Sequence, residues 1–537
     1  MTEKNGPHMS VGVTMNVNSA QKGAQSTEPT YNAPVADRDT PFCIALMGAF
    51  SDPQAANSAS QAPVAKRRFI EIDRDNFEAR MAAFNIQLNV NVNGEVIPIA
   101  VKEMDDFHPD ELYQKLDSFS QLRSLRRRLK NNKTFAAAAA EIQSWGRQDE
   151  AAASPAAETA TGNAVASILA STSTSTSTST ANEPVPDNLL DSILGAHAQS
   201  ASTASGRESS QIDSLIRSIV APYVEPAADP RQDEMIALVD NATQAHMRGI
   251  LHSGEFQAME AAWESLWFLV KRLETNTRLK IKILDISKQA LSEDLAVDDL
   301  SASGLHRLFC DTSEGDEPWS VLLGNYTFND TIEDILTLAS LGEIAQQAGA
   351  PFIAAADEAF IGCESFAKAP YYDDWNQPLK EGVGKAWQIL RESAVSASIG
   401  LALPRFMLRL PYGQKSSPIE SFVFEEMAES DRHNSYLWGN AAFVKVECMA
   451  RNFSENGWDM HPEAVYQTDD LPVHYYKEDG ESVSKPVAEI MLTDKAVGII
   501  SQQGLIPICS VKNSDAIRSS NYCSVGINAE KLRGRWG

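Results

Sequence analysis

The residues best suited to chemistry are two arginines and two glutamates that lie close together in the sequence. Arg405 and Arg409 belong to an apolar run, Leu401–Gly413, whose composition is that of a buried strand. At the two-residue period of a strand, both guanidinium groups point to the same face. A guanidinium group that leaves water needs a hydrogen-bonded carboxylate, and Glu425 and Glu426 follow closely. The pattern predicts a buried ion-pair network; the alternative is an edge strand with two exposed arginines.

Sequence motifs of catalysis and metal binding are missing from the chain. It has no G-x-x-x-x-G-K-[ST] phosphate loop, no G-x-S-x-G nucleophile elbow, no H-E-x-x-H zinc motif and no G-x-G-x-x-G turn opening a helix. His246 and His252 are six residues apart, so they do not share one helical face. The sequence predicts no catalytic residue, no cofactor and no metal. A hydrolase with paired carboxylates stays open as a weaker hypothesis, because acidic residues are abundant.

Charge is distributed unevenly along the 537 residues. The net charge is −26, yet residues 1–145 hold 16 Lys and Arg against 17 Asp and Glu, which leaves 30 against 55 in the rest. An acidic surface repels phosphate, so we expect neither nucleic acid nor an anionic membrane as a partner. The chain has no apolar run of about 18 residues and no secretory signal at its start. With six scattered cysteines and no C-x-x-C pair, it has the features of a cytoplasmic protein.

Strands of the N-terminal part are predicted from periodicity and turn residues. Val11–Val17 alternates as a half-buried strand within a polar arm, which suggests pairing with something distant. Pro41–Phe50 has the composition of a buried strand. Phe84–Val101 is typical of a β-hairpin that turns at Asn93 and Gly94, a pair that supplies the positive φ angles of a tight turn.

A helix beginning at Pro109 carries a stripe of leucines and ends in a cluster of basic residues. The cluster consists of Arg123, Arg126, Arg127, Arg128, Lys130 and Lys133. Such a run is usually a solvated helix face. We expect these cations to face solvent or to meet acids in the same assembly, rather than to bind nucleic acid.

Composition changes to Ala, Ser and Thr over Gly146–Pro186, which includes the repeat Ser171–Thr180 and is typical of a linker. A short amphipathic island follows it, with apolar positions Leu189, Leu190, Ile193 and Leu194. This island is either a docking helix for another protein or a helix packed on its own domain. The predicted organisation is a domain over residues 1–145, a linker over 146–211 and a larger domain over 212–537.

Helices and strands interleave in the larger domain. Helical spacing predicts one helix starting at Ser253 and another over Thr331–Ala348. The strand candidates are Lys280–Ile286, Trp319–Leu323, Phe352–Ala356, Phe406–Leu410, Ala441–Val446, Val487–Leu492 and Leu505–Val511. This order predicts an α/β (α+β) fold with mixed sheets and flanking helices.

Short stretches in both parts carry a family resemblance. In the N-terminal part they are Arg68–Phe77, Asp106–Asp110 and the leucine-arginine helix up to Lys130; in the larger part they are Leu251–Trp263, Leu323–Phe328, Ala350–Ala355, Leu390–Ser393, Leu403–Gly413, Tyr436–Ala442 and Gly504–Asn513. Their order and number make the match specific. In these stretches the chain resembles the contractile sheath of bacterial type VI secretion systems, with the small (TssB/VipA-like) and large (TssC/VipB-like) subunits joined in one polypeptide.

The resemblance implies a mechanical function and no catalysis. Family subunits have a phage-tail-sheath-like fold with strand-exchanging arms, and they stack helically around an inner tube so that contraction drives the tube outward. The implied partners are further copies of the chain, an Hcp-like tube protein, baseplate components and a ClpV-like AAA+ ATPase that dismantles contracted sheath. The ATPase reads a helix near the start of the large subunit, where Leu189, Leu190, Ile193 and Leu194 fall.

The chain departs from the family pattern in three respects. Fusion fixes the ratio of the two subunits at one to one. Family large subunits continue beyond the position of Gly537 with a helical section that contacts the tube, and Glu264 stands where the family has a basic residue. The alternative function is therefore a non-polymerising accessory or regulatory protein derived from a sheath subunit.

Overall fold

The computed structural model describes residues 36–51, 63–142, 231–311, 317–427, 433–461, 465–478, 480–519, 522–527 and 530–536. The predicted strand Val11–Val17, the linker and the island at 189–194 lie outside these ranges.

Among the described residues, nine strands form one mixed sheet. Across the sheet they are β11 (Tyr466–Thr468), β15 (Ile517–Ser519), β14 (Ile506–Ser510), β8 (Ile399–Leu403), β7 (Phe352–Ala356), β6 (Trp319–Phe328), β1 (Phe42–Gly48), β5 (Leu279–Asp285) and β2 (Ile70–Ile72). The six strands from β14 to β5 run parallel, whereas β15, β11 and β2 are antiparallel to their neighbours. This sheet and its helices confirm the predicted α/β class.

Helices cover both faces of the sheet, as a sheet with buried parallel strands requires. They are α1 (Phe77–Ala83), α2 (Pro109–Lys115), α3 (Ser120–Lys130), α4 (Gln232–Leu251), α5 (Gly254–Arg272), α6 (Lys288–Leu295), α7 (Gly304–Cys310), α8 (Ile332–Ala348), α9 (Val383–Glu392), α10 (Ala441–Asn456) and α11 (Asp494–Gln502). Helices α1 to α5 and α10 contribute to one hydrophobic core, and α6 to α9 with α11 to the other. Alternate residues of β1 enter the two cores, and all seven are buried.

A β-hairpin of β3 (Ile86–Val92) and β4 (Glu95–Val101) packs against α4 and α5. Its turn residues Asn93 and Gly94 both have positive φ, which confirms the hairpin predicted from the Asn-Gly pair. The approach to α4 is close at Gly249, where a Cβ atom would stand 2.7 Å from Cγ1 of Val92. Two smaller two-stranded sheets pair β9 (Phe406–Met407) with β10 (Trp438–Gly439), and β12 (Tyr475–Glu478) with β13 (Glu481–Ser484).

Several predicted elements are confirmed and four are wrong. The single helix predicted from Pro109 to the basic cluster is two helices, α2 and α3, because the backbone is extended at Leu116. Ser253 and Thr331 cap α5 and α8 with their side chains, as predicted. Ala441–Val446 is the start of helix α10, capped by the side chain of Asn440. This helix is buried on nearly every side, so it lacks the polar face that would distinguish a helix from a buried strand.

The other two errors concern the run around the arginines and the segment that lies beside it. The strand predicted over Phe406–Leu410 is limited to the two residues of β9. The segment predicted as a strand at Val487–Leu492 is irregular, and it contacts β9 through a single bridge between Phe406 and Ala488. A cis peptide bond joins Leu403 to Pro404 between β8 and β9. The run is divided at Pro404, and its second part keeps strand structure only as far as Met407.

Within the described ranges, none of the helices has the length and apolarity needed to cross a bilayer. The same ranges hold no group of three or more His, Cys, Asp or Glu side chains arranged to bind a metal ion.

Candidate functional site

The candidate site is the contact between the N-terminal part (described residues 36–142) and the C-terminal part (231–536). Its central element is β1, which lies between β5 and β6 of the other part. The backbone N–H of Cys43 donates to Oγ of Ser320 at 3.0 Å. Just after the strand, the N–H of Phe50 and the hydroxyl of Ser51 donate to the Asp285 carboxylate at 2.8 and 2.5 Å. The N-terminal part therefore completes the sheet of the C-terminal part.

Aromatic side chains of the N-terminal part surround Trp263 of α5. Its indole N–H donates to the carbonyl oxygen of Phe50 at 3.0 Å. The rings of Phe50, Phe77 and Phe84 meet it edge-on, with centroids 5.5, 5.8 and 5.3 Å away. Each such aromatic pair adds about 0.5–1.5 kcal/mol beyond the area it buries. Trp263 is therefore an anchor point between the two parts.

Helices α3 and α4 make a second, partly polar contact between the parts. Arg126 binds Asp240 through two hydrogen bonds of 2.5 and 3.0 Å, and these bonds raise the pKa of Arg126 above its ordinary value. The side-chain amide of Gln232 donates to the carbonyl oxygen of Leu129 at 2.6 Å. These bonds place the end of α3 beside the start of α4.

A buried histidine lies in the same contact. The ring of His246 on α4 meets Phe119 edge-on at 4.8 Å between centroids. Burial lowers the pKa of His246 to about 4, so the ring is neutral near pH 7. Neither ring nitrogen has a hydrogen-bond partner among the described residues, so His246 acts as an aromatic packing residue here.

A third contact joins α2 to the loop after β9. The Asp110 carboxylate accepts hydrogen bonds from the backbone N–H groups of Glu420 and Ser421 at 3.0 and 2.8 Å. Burial alone would raise the pKa of Asp110, but these bonds hold it below its ordinary value. The ring of Tyr113 packs on Phe422 with centroids 4.7 Å apart. This loop is therefore fixed to the N-terminal part by charge and by packing.

Arg409 is the centre of a buried ionic network beneath this loop. Its Nε donates to Glu260 at 2.6 Å, its Nη1 to Glu426 at 2.9 Å, and its Nη2 to both carboxylates at 3.3 and 3.1 Å. The Arg409 side chain is 13% exposed and each carboxylate side chain 1%. The ring of Tyr412 covers the guanidinium carbon at 4.3 Å. One guanidinium group thus joins α5 to the loop.

The pKa values of the two carboxyl groups in this network are shifted in opposite directions. Burial would raise the pKa of Glu426, but Arg409, His252 and the backbone N–H of Tyr412 lower it to about 2. Burial raises the pKa of Glu260, whose hydrogen bonds within the described ranges come from Arg409 alone. Both carboxylates are shielded from solvent and occupied by Arg409, so the network is suited to joining elements and not to reacting with a substrate.

One turn along α5 from Glu260, Glu264 is half-buried. Burial, followed by the nearby Glu260 charge, raises the pKa of Glu264 to about 7. A pKa near neutrality is a common mark of a general acid or base. Here its main cause is burial, and the Glu260 charge of the ionic network adds to it.

Arg405 belongs to a separate ion pair. It binds Glu489 through Nε at 3.0 Å and through Nη2, and Glu489 also contacts Nε2 of His433 at 2.7 Å. Burial would raise the pKa of Glu489, but His433 and Arg405 lower it to about 2. The Arg405 side chain is 43% exposed and that of Glu489 only 2%. This pair holds the irregular segment around residue 489 to β9.

The four residues predicted to form one ion-pair network do not all meet in the structure. Arg409 and Glu426 are in contact, whereas Arg405 pairs with Glu489 instead. Glu425 is exposed, and its Oε1 accepts a hydrogen bond from the backbone N–H of Gln414 at 3.1 Å. Neighbouring residues of an extended segment point to opposite sides, so Glu425 and Glu426 could not both face Arg409.

Sequence reasoning missed Glu260 and Glu489 as partners. Glu260 lies 149 residues before Arg409, and Glu489 lies 84 residues after Arg405, so proximity in sequence gives no signal. A signal did exist for Glu260, because it stands on the apolar stripe of α5 between Phe256 and Trp263. A carboxylate in such a stripe needs a buried cation.

Comparison with known proteins matches each of the two parts to a family. Residues 233–524 match the family model VipB, described as EvpB/VC_A0108, tail sheath N-terminal domain. Residues 28–144 match the model T6SS_VipA, described as type VI secretion system, VipA, VC_A0107 or Hcp2. Both matched segments contribute strands to the nine-stranded sheet.

Two curated relatives of Pseudomonas aeruginosa are similar to the two segments. The type VI secretion system sheath protein TssC1 is 32% identical over 293 residues, which is 53% of this chain and 59% of the relative. The sheath protein TssB1 is 37% identical over 97 residues, which is 17% of this chain and 56% of the relative. The chain thus spans less than two thirds of the length of either relative.

The two family matches define the class, a tail-sheath protein, which is a structural class. The chain belongs to the VipB (EvpB/VC_A0108) family of type VI secretion sheath proteins, with a VipA-type segment fused on its N-terminal side. The resemblance found in the sequence is confirmed.

Proposed function

We propose that this chain is the protomer of a contractile type VI secretion sheath, which assembles helically around an inner tube and contracts to propel it. The observation that carries the proposal is the insertion of β1 between β5 and β6. It makes the two sheath segments one folded body, so each chain can act as a single building unit. Copies joined head to tail without closing generate a helical tube.

The proposal extends to domain organisation and partners. Residues 1–145 act as the small subunit and 212–537 as the large one, with 146–211 linking them. Strand exchange by the arm around Val11–Val17 joins neighbouring copies. An Hcp-like tube protein and baseplate components provide the surfaces on which the sheath grows, and assembly takes place in the bacterial cytoplasm.

Electron microscopy of negatively stained protein tests assembly directly. The chain is imaged alone and after mixing with an Hcp-like tube protein. Hollow, striated tubes are the expected result. Particles of protomer size under both conditions would refute the proposal and favour a non-polymerising accessory protein.

A second experiment tests the partner that would dismantle the sheath. A peptide covering residues 186–200 should bind a ClpV-like ATPase through Leu189, Leu190, Ile193 and Leu194. Leu190→Asp with Ile193→Asp should abolish binding in a fluorescence anisotropy titration, because both changes charge the apolar side of the helix. Ser192→Asp on the polar side is the matched control. Equal binding by both variants would exclude this docking mode.

A further inference from the structure

Helix α3 and the turn after it carry four basic side chains that find no acidic partner among the described residues. We call Arg123, Arg127, Lys130 and Lys133 the cationic face. The other two basic residues of this cluster are paired within the chain, Arg126 with Asp240 and Arg128 with Glu141. Within the described ranges, no carboxylate forms an ion pair with a member of the cationic face.

The geometry concentrates these charges on one side. Arg123, Arg127 and Lys130 follow the 4- and 3-residue spacing that aligns side chains on one helix face. Arg127, Lys130 and Lys133 are exposed. Arg123 is half-buried over the ring of Tyr113, 5.4 Å from its centroid, and its Nη1 is buried without a hydrogen-bond partner among the described residues.

Local stability accounts for only part of this arrangement. Cations in the last turn of a helix are attracted by the helix dipole, which favours Arg127 and Lys130 but not Arg123, which stands in the first turn of α3. Like charges three or four residues apart destabilise a helix. A net charge of −26 means that acids were available to neutralise the face, yet the described part of the fold does not bring them there.

We propose that the cationic face binds an acidic surface on a second copy of this chain. The chain itself supplies the complement, because Asp and Glu outnumber Lys and Arg by 55 to 30 after residue 145. Contacts between surfaces of opposite charge speed association and fix register. The net negative charge of the whole chain disfavours nucleic acid as the ligand.

The sign of the face restricts the contact. A positive surface repels its own image, so two copies cannot meet through two cationic faces. The contact joins different surfaces of the two copies, as the head-to-tail interface of a helical assembly does. This inference rests on the proposed sheath function, because it names one of the contacts through which copies would assemble.

The test compares two triple variants of the full chain. Arg127→Glu, Lys130→Glu and Lys133→Glu reverse the cationic face. Lys102→Glu, Lys385→Glu and Lys512→Glu reverse exposed lysines elsewhere on the chain. Both variants change the net charge from −26 to −32, so any difference reflects position. Circular dichroism checks that each variant is folded.

Pairwise association is measured first, with immobilised wild-type chain and dilute soluble chain at about 0.1 M salt. Reversal of the cationic face should weaken binding at least tenfold, roughly what the loss of three ion pairs implies. The control variant should bind like the wild type. In an assembly assay by light scattering, the reversed variant should also terminate growth of wild-type polymers at low molar ratio, because its acidic surface is intact.

Three outcomes would overturn the inference. Equal binding by the two variants would show that the face is not an interface, even if the wild type forms tubes. Loss of binding to an RNA oligonucleotide, with assembly unchanged, would assign the face to nucleic acid. A wild-type chain that neither self-associates nor forms tubes would refute the proposed sheath function together with this contact.

Discussion

Replacing Arg409 by alanine should destabilise the fold more than any exposed arginine would. The substitution leaves Glu260 and Glu426, each 1% exposed, without their shared counter-charge. Breaking a buried ion pair by removing one partner costs about 3–5 kcal/mol. Since globular proteins are stable by only about 5–15 kcal/mol, a loss of this size is a large part of the total.

Urea unfolding followed by tryptophan fluorescence measures this loss, because Trp263 lies on the same helix as Glu260. Arg405→Ala is the control variant, for which we expect a smaller loss of stability. Its partner Glu489 keeps the hydrogen bond from His433, and Arg405 is 43% exposed, so the expected loss is only about 1–2 kcal/mol.

A charge-free variant separates lost charge balance from lost packing. Arg409→Met with Glu260→Gln and Glu426→Gln removes all three charges, and it should recover most of the stability lost in Arg409→Ala. The reasoning is refuted if Arg409→Ala unfolds within about 0.5 kcal/mol of the wild type, the range of ordinary surface substitutions. A triple variant no more stable than Arg409→Ala would mean that lost packing, and not lost charge balance, causes most of the destabilisation.

Three further predictions concern other parts of the structure. After protease cleavage at a site engineered into Ser171–Thr180, the two parts should elute together in size-exclusion chromatography until urea is added, because β1 completes the sheet of the C-terminal part. Separate elution in native buffer would contradict the shared core. Burial lowers the pKa of Lys445 from 10.5 to about 8, so between these values this residue makes stability rise with pH by roughly 3 kcal/mol, whereas the cysteines, whose pKa values burial raises, act in the opposite direction above pH 9. Urea melts at several pH values should therefore show the wild type gaining stability relative to Lys445→Met across this range, and an equal pH dependence of the two proteins would exclude the shift at Lys445. Gly249→Ala should cost about 1–3 kcal/mol despite the better helix propensity of alanine, since its Cβ would meet Val92, whereas Gly254→Ala has open space and should be neutral or stabilising in thermal melts; equal effects would contradict the close approach.

Local signals predicted the elements whose determinants lie close together in the sequence. The hairpin follows from alternation and the Asn-Gly turn, and α5 follows from helical spacing and the cap at Ser253. The buried strand at residues 42–48 was also visible, because all its residues are apolar or small. The family resemblance then supplied the class, which no local pattern could.

Long-range relations could not be predicted in the same way. No pattern in Phe42–Gly48 says that its neighbours are β5 and β6, more than 230 residues away. The pairing of Arg409 with Glu260 could not be inferred either. A period-two pattern shows on which face of a strand a side chain lies, but it does not show which residues of the fold pack against that face. The pattern at Ala441 indicates a strand where the structure has a helix, because full burial removes the polar residues that reveal the period.

The position of β1 has a consequence for synthesis on the ribosome. Phe42–Gly48 emerges early, but the second strand that flanks it ends only at Phe328. At about 5–20 residues per second, the interval is roughly 15–60 s, during which an apolar strand has no native neighbour on one or both edges. A nascent chain in this state is a substrate for chaperones that shield apolar segments, so the yield of native protein should depend on chaperone supply more than on final stability.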